Sequence, residues 1–195
     1  METILPLLGF AVAASVTPGP NVLMVAAASA NHGIRATAPQ MVGIAIGFGA
    51  MLLIVVLGLA APFAAWPVLH SVLKWVGGAW LLLLAWKVAT AGAPGEGPQR
   101  PPLGFIGAAL FQWVNPKAWM IALAAIPAFT TPSGDTLAEG LLIATVFVVV
   151  CLPCLLVWAG FGAGASRILR TPAALRWFNV AMALLMVGSL LPAFL

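Results

Sequence analysis

From about Thr3 to Ala28 the chain carries no charged side chain, and within that run stands Thr17-Pro18-Gly19-Pro20-Asn21. A run of this length and character suits a helix crossing roughly 30 Å of hydrocarbon at about 1.5 Å per residue. Its two prolines lack an N–H and crowd the carbonyl four residues back, so the helix must kink or part near Ala14 and Val16. Backbone groups freed inside a bilayer are tolerated only where protein or a wet cavity satisfies them. A spanning helix broken here is therefore a candidate binding site.

The remaining sequence also asks for a bilayer. Of 195 residues 63% are hydrophobic and 6% charged, with a mean hydropathy of +1.13, whereas a soluble domain carries roughly a quarter charged residues. The net charge of +4 contains no basic run. It reads as membrane-flanking loops, and nucleic acid is not an expected partner. Met1-Glu2-Thr3 leads straight into Ile4 and Leu5, without the basic region or cleavage site of a signal peptide, so the first segment is expected to stay as a span.

Six spans can be drawn, giving an all-α integral membrane protein of one domain, 1–195. They are about Thr3–Ala28, Thr37–Ala61, Val72–Thr90, Leu103–Phe129, Leu137–Ser166 and Ala173–Leu195, with polar turns at Asn31–Arg35, Pro62–Pro67 and Thr130–Thr136. Gly43 and Gly47 give the second span a small-residue face for close helix packing. The linker 92–102, rich in glycine and proline, separates halves of about 1–91 and 103–195. The loops after spans one, three and five, with their flanks, hold Arg35, Lys87, Arg100, Arg167, Arg170 and Arg176, against Lys74 on the other side. The positive-inside bias then makes those loops cytoplasmic and puts both termini outside.

The halves resemble each other. Pro20-Asn21-Val22-Leu23-Met24-Val25-Ala26 can be laid over Pro116-Lys117-Ala118-Trp119-Met120-Ile121-Ala122, and Lys74-Trp75 answers Arg176-Trp177. Three spans per half invert the second half relative to the first, a common transporter construction, with helices 1 and 4 broken.

The fourth span breaks at Asn115-Pro116-Lys117. With Thr17 and Asn115 as N-caps and Pro18 and Pro116 at the first helical position, each broken span restarts as a half-helix. Thr17 lies 11 residues before Ala28 and Asn115 lies 12 after Leu103, so both breaks sit roughly 16 to 18 Å from the basic end. Two positive dipole ends at one depth suit an anionic group such as a carboxylate. Lys117, the only ionisable residue placed deep in a span, costs about 2.5 to 3.5 kcal/mol there on insertion scales, which points it at the bundle interior or a wet path.

Other features offer less chemistry. Cys151-Leu152-Pro153-Cys154 has redox spacing but lies in an apolar span without a basic neighbour. His32 and His70 read as solvated loop residues, and Trp66, Trp75, Trp80 and Trp177 as interfacial anchors. No metal-ligand cluster, cofactor motif, phosphate-binding loop or catalytic constellation is found, and an enzyme is not expected. Self-association is left open by the sequence.

At these motifs the chain resembles the lysine exporter and homoserine/threonine resistance family of amino-acid exporters. The resemblance rests on Thr17-Pro18-Gly19-Pro20-Asn21, His32-Gly33-Ile34-Arg35, Gly43-Ile44-Ala45-Ile46-Gly47, Gly78-Ala79-Trp80 through Trp86-Lys87, and Asn115-Pro116-Lys117-Ala118. It implies export of amino acids or close derivatives across a bacterial inner membrane. Many members of the family have an acidic residue just after the second glycine of span two, where this chain has Phe48. That resembles members exporting cysteine and O-acetylserine, and it removes the counter-charge for a cationic substrate. The expectation is an exporter of small neutral amino acids. Thr17, Pro18, Gly19, Pro20, Asn21, Gln112, Asn115, Pro116 and Lys117 form its site, with freed carbonyls and side-chain amides receiving the ammonium. The alternatives are a membrane thiol-redox carrier using Cys151 and Cys154, and an assembly subunit that transports nothing.

Overall fold

The computed structural model describes residues 4–59, 65–91, 101–131, 133–169 and 171–191. Both chain ends, residues 62–64 of the expected turn at 62–67, residues 92–100 of the linker at 92–102 with Arg100, and Arg170 lie outside them, as does the side chain of His70. The helices are α1 (Ile4–Val16), α2 (Pro20–Ile54), α3 (Pro67–Ala89), α4 (Phe105–Phe111), α5 (Pro116–Phe129), α6 (Thr136–Ile168) and α7 (Pro172–Gly188). A wider turn, Val55–Leu59, prolongs α2, and a tighter one, Gln112–Val114, prolongs α4. No strand occurs among the described residues.

This is an all-helical membrane protein. Three helical stretches, Pro20–Gly58, Ser71–Ala89 and Thr136–Ile168, are long and apolar enough to cross a bilayer, and four shorter ones are predominantly apolar. Large apolar side chains cover the outside, among them Leu5, Trp86, Ile106 and Ile168, which water would not favour and lipid does. Trp66, Trp75, Trp80 and Trp177 are exposed as well.

The polar turn expected over Asn31–Arg35 is corrected to a single residue. Gly33 has φ 81° and ψ 163° inside an otherwise helical α2, a conformation that a residue without Cβ adopts at little cost. Asn31 stays in the first arm of α2, its Nδ2 donating to Ala27 O at 2.7 Å, and Thr37 Oγ1 donates to Gly33 O at 2.9 Å at the start of the second arm.

The long helices α2 and α6 pack on each other most extensively, α1 lies on α6, α4 on α2, and α3 on α7. Several of these approaches are backbone to backbone. A Cβ on Gly43 would strike the carbonyl of Phe105, one on Gly47 the backbone of Ala109, and one on Gly162 of α6 the carbonyl of Ala26. Glycine is required there because the partner is main chain, which cannot rotate away.

Two buried clusters fill the bundle. One gathers Leu23, Ile44, Leu81, Phe111, Leu155 and Met186. The other gathers Leu7, Met51, Leu52, Trp119, Ile143 and Phe147. At each break the chain passes from one to the other, from Leu7 and Ala11 to Val22–Ala27 across Thr17–Asn21 and from Ala108 and Phe111 to Ala118 and Trp119 across Asn115–Lys117, so the chain breaks lie between two apolar plugs.

Two glycines of α6 should separate the effect of close packing from that of helix propensity. Gly162→Ala has main chain in the way and is expected to lose about 1–3 kcal/mol. Gly160→Ala has open space around its new methyl and should be neutral or slightly stabilising. Thermal unfolding of the detergent-solubilised variants measures both, and equal behaviour would remove the Gly162–Ala26 contact as a determinant.

Candidate functional site

The site is built from four helix ends. Helix α1 stops at Val16 because Pro18 and Pro20 cannot donate to the carbonyls behind them. Thr17 N donates to Ala13 O at 3.2 Å, and the Thr17 hydroxyl donates to the same carbonyl. Trp158 of α6 donates from Nε1 to Val16 O at 3.1 Å, replacing the N–H that Pro20 lacks. Helix α2 then starts with Gly19 at its N-cap, in an extended conformation, and Pro20 at its first position. The expected N-cap role of Thr17 is therefore corrected. Its side chain closes the helix before the break, because that hydroxyl lies within reach of a carbonyl one turn back, and the restart falls two residues later.

The second break is capped by its own side chain. Asn115 is in an extended conformation and its Oδ1 accepts from Lys117 N at 3.2 Å, with Pro116 at the first helical position of α5. Asn115 N bonds Gln112 O at 3.3 Å, the carbonyl that Pro116 cannot reach. Gly77 of α3 lies against Val114 O and the Pro116 ring.

The two breaks meet. Lys117, half-buried, extends its ammonium across to α1, donating to Thr17 O at 2.7 Å and lying 3.4 Å from Pro18 O. A cation is favoured there by the negative end of the α1 dipole. Gly19 makes the crossing possible, since a Cβ on it would stand 2.7 Å from Lys117 Cδ and 2.9 Å from Nζ. Beside them, Asn21 and Gln112 form a reciprocal carboxamide pair. Asn21 Nδ2 donates to Gln112 Oε1 at 2.8 Å, and Gln112 Nε2 donates to Asn21 Oδ1 at 3.1 Å and to Ala108 O at 3.0 Å.

A cavity of about 40 Å³ lies at this junction. Of the residues expected to form the site, Thr17, Gly19, Pro20, Asn21, Asn115 and Lys117 line it, while Pro18, Gln112 and Pro116 do not. Gln112 is fully buried behind Asn21. Phe48 and Cys151 also line the cavity. Cys151 and Cys154 are free thiols. On the side away from the basic residues, Phe48 meets Phe147 edge-on at 5.3 Å, Phe147 meets Phe10 at 6.0 Å, and Phe10 meets Phe129 at 5.6 Å. The four rings thus form one aromatic layer on that side, joined to the cavity wall through Phe48.

The family description LysE type translocator matches residues 12–189, which includes both breaks and all seven helices in part or whole. The chain belongs to this family. It is 34% identical over 124 residues to the cysteine/O-acetylserine efflux protein of Salmonella typhimurium, covering 63% of this chain and 63% of that one. Against the protein of the same description from Escherichia coli K12 it is 28% identical over 174 residues, 89% of this chain and 88% of the relative. No solved structure matches.

On the basic side of the bundle lies a larger cavity of about 590 Å³, between both arms of α2, the end of α3 and the residues leading into α4. His32, expected in a loop, sits in helix on its wall. Gln40 is another wall residue, 2% exposed, and its Oε1 has no hydrogen-bond partner among the described residues. An acceptor left in that state costs about 1–3 kcal/mol. Nearby, Asn31 and Asn179 pair reciprocally at 2.8 and 3.1 Å, joining α2 to α7. Neither Trp158 nor these amides stood out in the sequence. A lone tryptophan in the middle of a span, away from the expected interfaces, was the signal for the first, and asparagines inside otherwise apolar helices for the second.

The Asn21–Gln112 pair should show in a double-mutant cycle of Asn21→Leu and Gln112→Leu. Each single change strands the other carboxamide, so a coupling of about 0.6 to 1.7 kcal/mol is expected from reversible unfolding in detergent. Additive effects would mean that the two amides do not depend on each other.

Proposed function

We propose that this chain exports small neutral amino acids or close derivatives across the bacterial inner membrane by alternating access. The observation that carries the reading is the Lys117 ammonium held on the open carbonyls of Thr17 and Pro18, between two broken helices, at a small cavity. A substrate carboxylate is a stronger partner for that ammonium than a carbonyl. It would exchange with Thr17 O and Pro18 O, which then become free to receive the substrate ammonium along with the amides of Asn21 and Asn115. Gln112 acts on this site through Asn21. Pro18, Pro20 and Pro116 serve it by keeping the backbone open.

Size and charge refine the reading. About 40 Å³ is little more than one water's share of liquid volume, so this conformation has the site closed around itself, with four aromatic rings above it and a larger cavity on the basic side. Among the described residues no acidic one lines either cavity, which disfavours a cationic side chain in the cargo. The relatives described as cysteine/O-acetylserine efflux proteins support cargo of this size and charge.

The same reading takes six spans, both termini outside, and two inverted halves. The first span is α1 with the first arm of α2, the second is the other arm of α2, and the fourth is α4 with α5. Under this pairing α4 on the second arm of α2 corresponds to α1 on α6, and both pairs are in contact. The rocking of one half on the other would expose the junction alternately.

Proteoliposomes loaded with a panel of amino acids, with and without a proton gradient, test the function directly. Lys117→Ala is expected to lower efflux about 10- to 100-fold with normal membrane insertion, the loss of a charge-assisted contact; unchanged efflux would remove Lys117 from the mechanism. The double variant Cys151→Ser with Cys154→Ser should still export, with at most a modest change in rate because Cys151 lines the small cavity. Loss of export there, together with a functional dithiol titration, would instead favour a thiol-redox carrier.

A further inference from the structure

The cavity on the basic side is built as more than a passage. Gln40 lies one turn before Gly43 and two before Gly47 on the face of α2 that α4 approaches so closely. That row puts a carboxamide against a neighbouring helix with almost no solvent, on the wall of a space of about 590 Å³. Such a volume falls among those that hold small molecules. Its Oε1 is shut off from water and unpartnered among the described residues, while the terminal torsion of a glutamine is broad, so a turn of the carboxamide brings the oxygen to the cavity. An apolar side chain would fill this place without the penalty. Across the cavity, Lys87 in the last turn of α3 supplies an exposed cation to the same walls. Among the described residues no acidic one joins them. An acceptor on one wall and a cation on another, in a cavity of this size, match the ammonium and carboxylate of a zwitterion.

We propose that this cavity is a second, loading site for a zwitterionic amino acid, with Gln40 Oε1 receiving the ammonium and Lys87 the carboxylate, before the cargo passes to the junction of the broken helices. The site rests on the export reading for the identity of its cargo. It stands apart from the junction in residues, since neither Gln40 nor Lys87 lines the small cavity and neither Lys117 nor Asn21 lines the large one. With the basic loops cytoplasmic, the cavity opens to the side from which cargo arrives.

The test uses the full chain in lipid nanodiscs and equilibrium binding of O-acetyl-L-serine, with O-acetylethanolamine, which lacks the carboxylate, and 3-acetoxypropionic acid, which lacks the amine, as comparisons. Gln40→Leu should weaken O-acetyl-L-serine binding about tenfold while raising the unfolding temperature of the ligand-free protein, because it removes an unmatched buried acceptor. A residue with only a structural role would lower stability instead. Lys87→Ala, on an exposed position that does not threaten folding, should also weaken binding about tenfold. Both comparison compounds should bind more weakly than the zwitterion, and Lys117→Ala should retain binding at the large cavity. Flux in proteoliposomes from the same preparation separates this proposal from the exporter itself. Flux of O-acetyl-L-serine with unaltered binding in both Gln40→Leu and Lys87→Ala overturns the loading site and leaves the exporter standing. Absence of both flux and binding overturns both readings, and binding that depends on Gln40 and Lys87 without flux supports the site alone.

Discussion

A helix that ends inside hydrocarbon leaves its last carbonyls without donors, and the centre of this protein is arranged around meeting that need. The prolines at 18 and 20 create the deficit at the end of α1. Trp158 covers Val16 O, Thr17 covers Ala13 O, and the Lys117 ammonium covers Thr17 O and Pro18 O. Lys117 thereby has a partner for its own charge in a place where a lysine is costly. The first break is thus held by donors from other parts of the chain, and the second by its own asparagine. Any carboxylate that enters must compete with those donors' existing bonds, which makes the empty site self-sealed.

The two apolar clusters give that sealed junction its surroundings. On the basic side small residues such as Ala27 and Ala28 leave room, and the larger cavity forms there. On the other side Phe10, Phe48, Phe129 and Phe147 crowd together. Phe48 belongs to this layer and to the small cavity at once. A carboxylate at that position would face Lys117 across the junction and would break the ring packing, so the residue that removes a counter-charge also supplies part of the cover.

Much of this was legible because the bilayer simplifies the sequence code. Apolar runs located the helices, and two prolines in one run and Asn115-Pro116-Lys117 in another located the breaks, since each leaves a backbone defect that must be met. Gly43 and Gly47 marked a close face because nothing but backbone could approach them. What escaped were details set by three-dimensional proximity. The hydroxyl of Thr17 can serve the helix before it or the helix after it, and only the position of Gly19 decides between them. The turn at Asn31–Arg35 contains enough polar residues for a loop, yet one glycine with positive φ accomplishes the change of direction. Trp158, Gln40 and the Asn31–Asn179 pair act through partners more than a hundred residues away or through a cavity, and no local pattern announces that.

The attachment of α5 has a mechanical meaning. Its first turn is fixed by main-chain proximity, with Gly77 on Pro116 and Lys117 on the end of α1. The indole of Trp119 in that turn donates to Trp113 O at 2.8 Å, and farther along the helix rests on side chains of the second apolar cluster through Ala122 and Ala125. A rod held rigidly at one end and softly along its length behaves as a lever. Fourteen residues span roughly 20 Å, so a tilt of about 10° at the fixed end moves the far end by roughly 3 to 4 Å. The residue at that far end is Phe129, one of the four rings of the cover. A displacement of the first turn of α5 is therefore geared, through the length of the helix, to the aromatic layer at its far end.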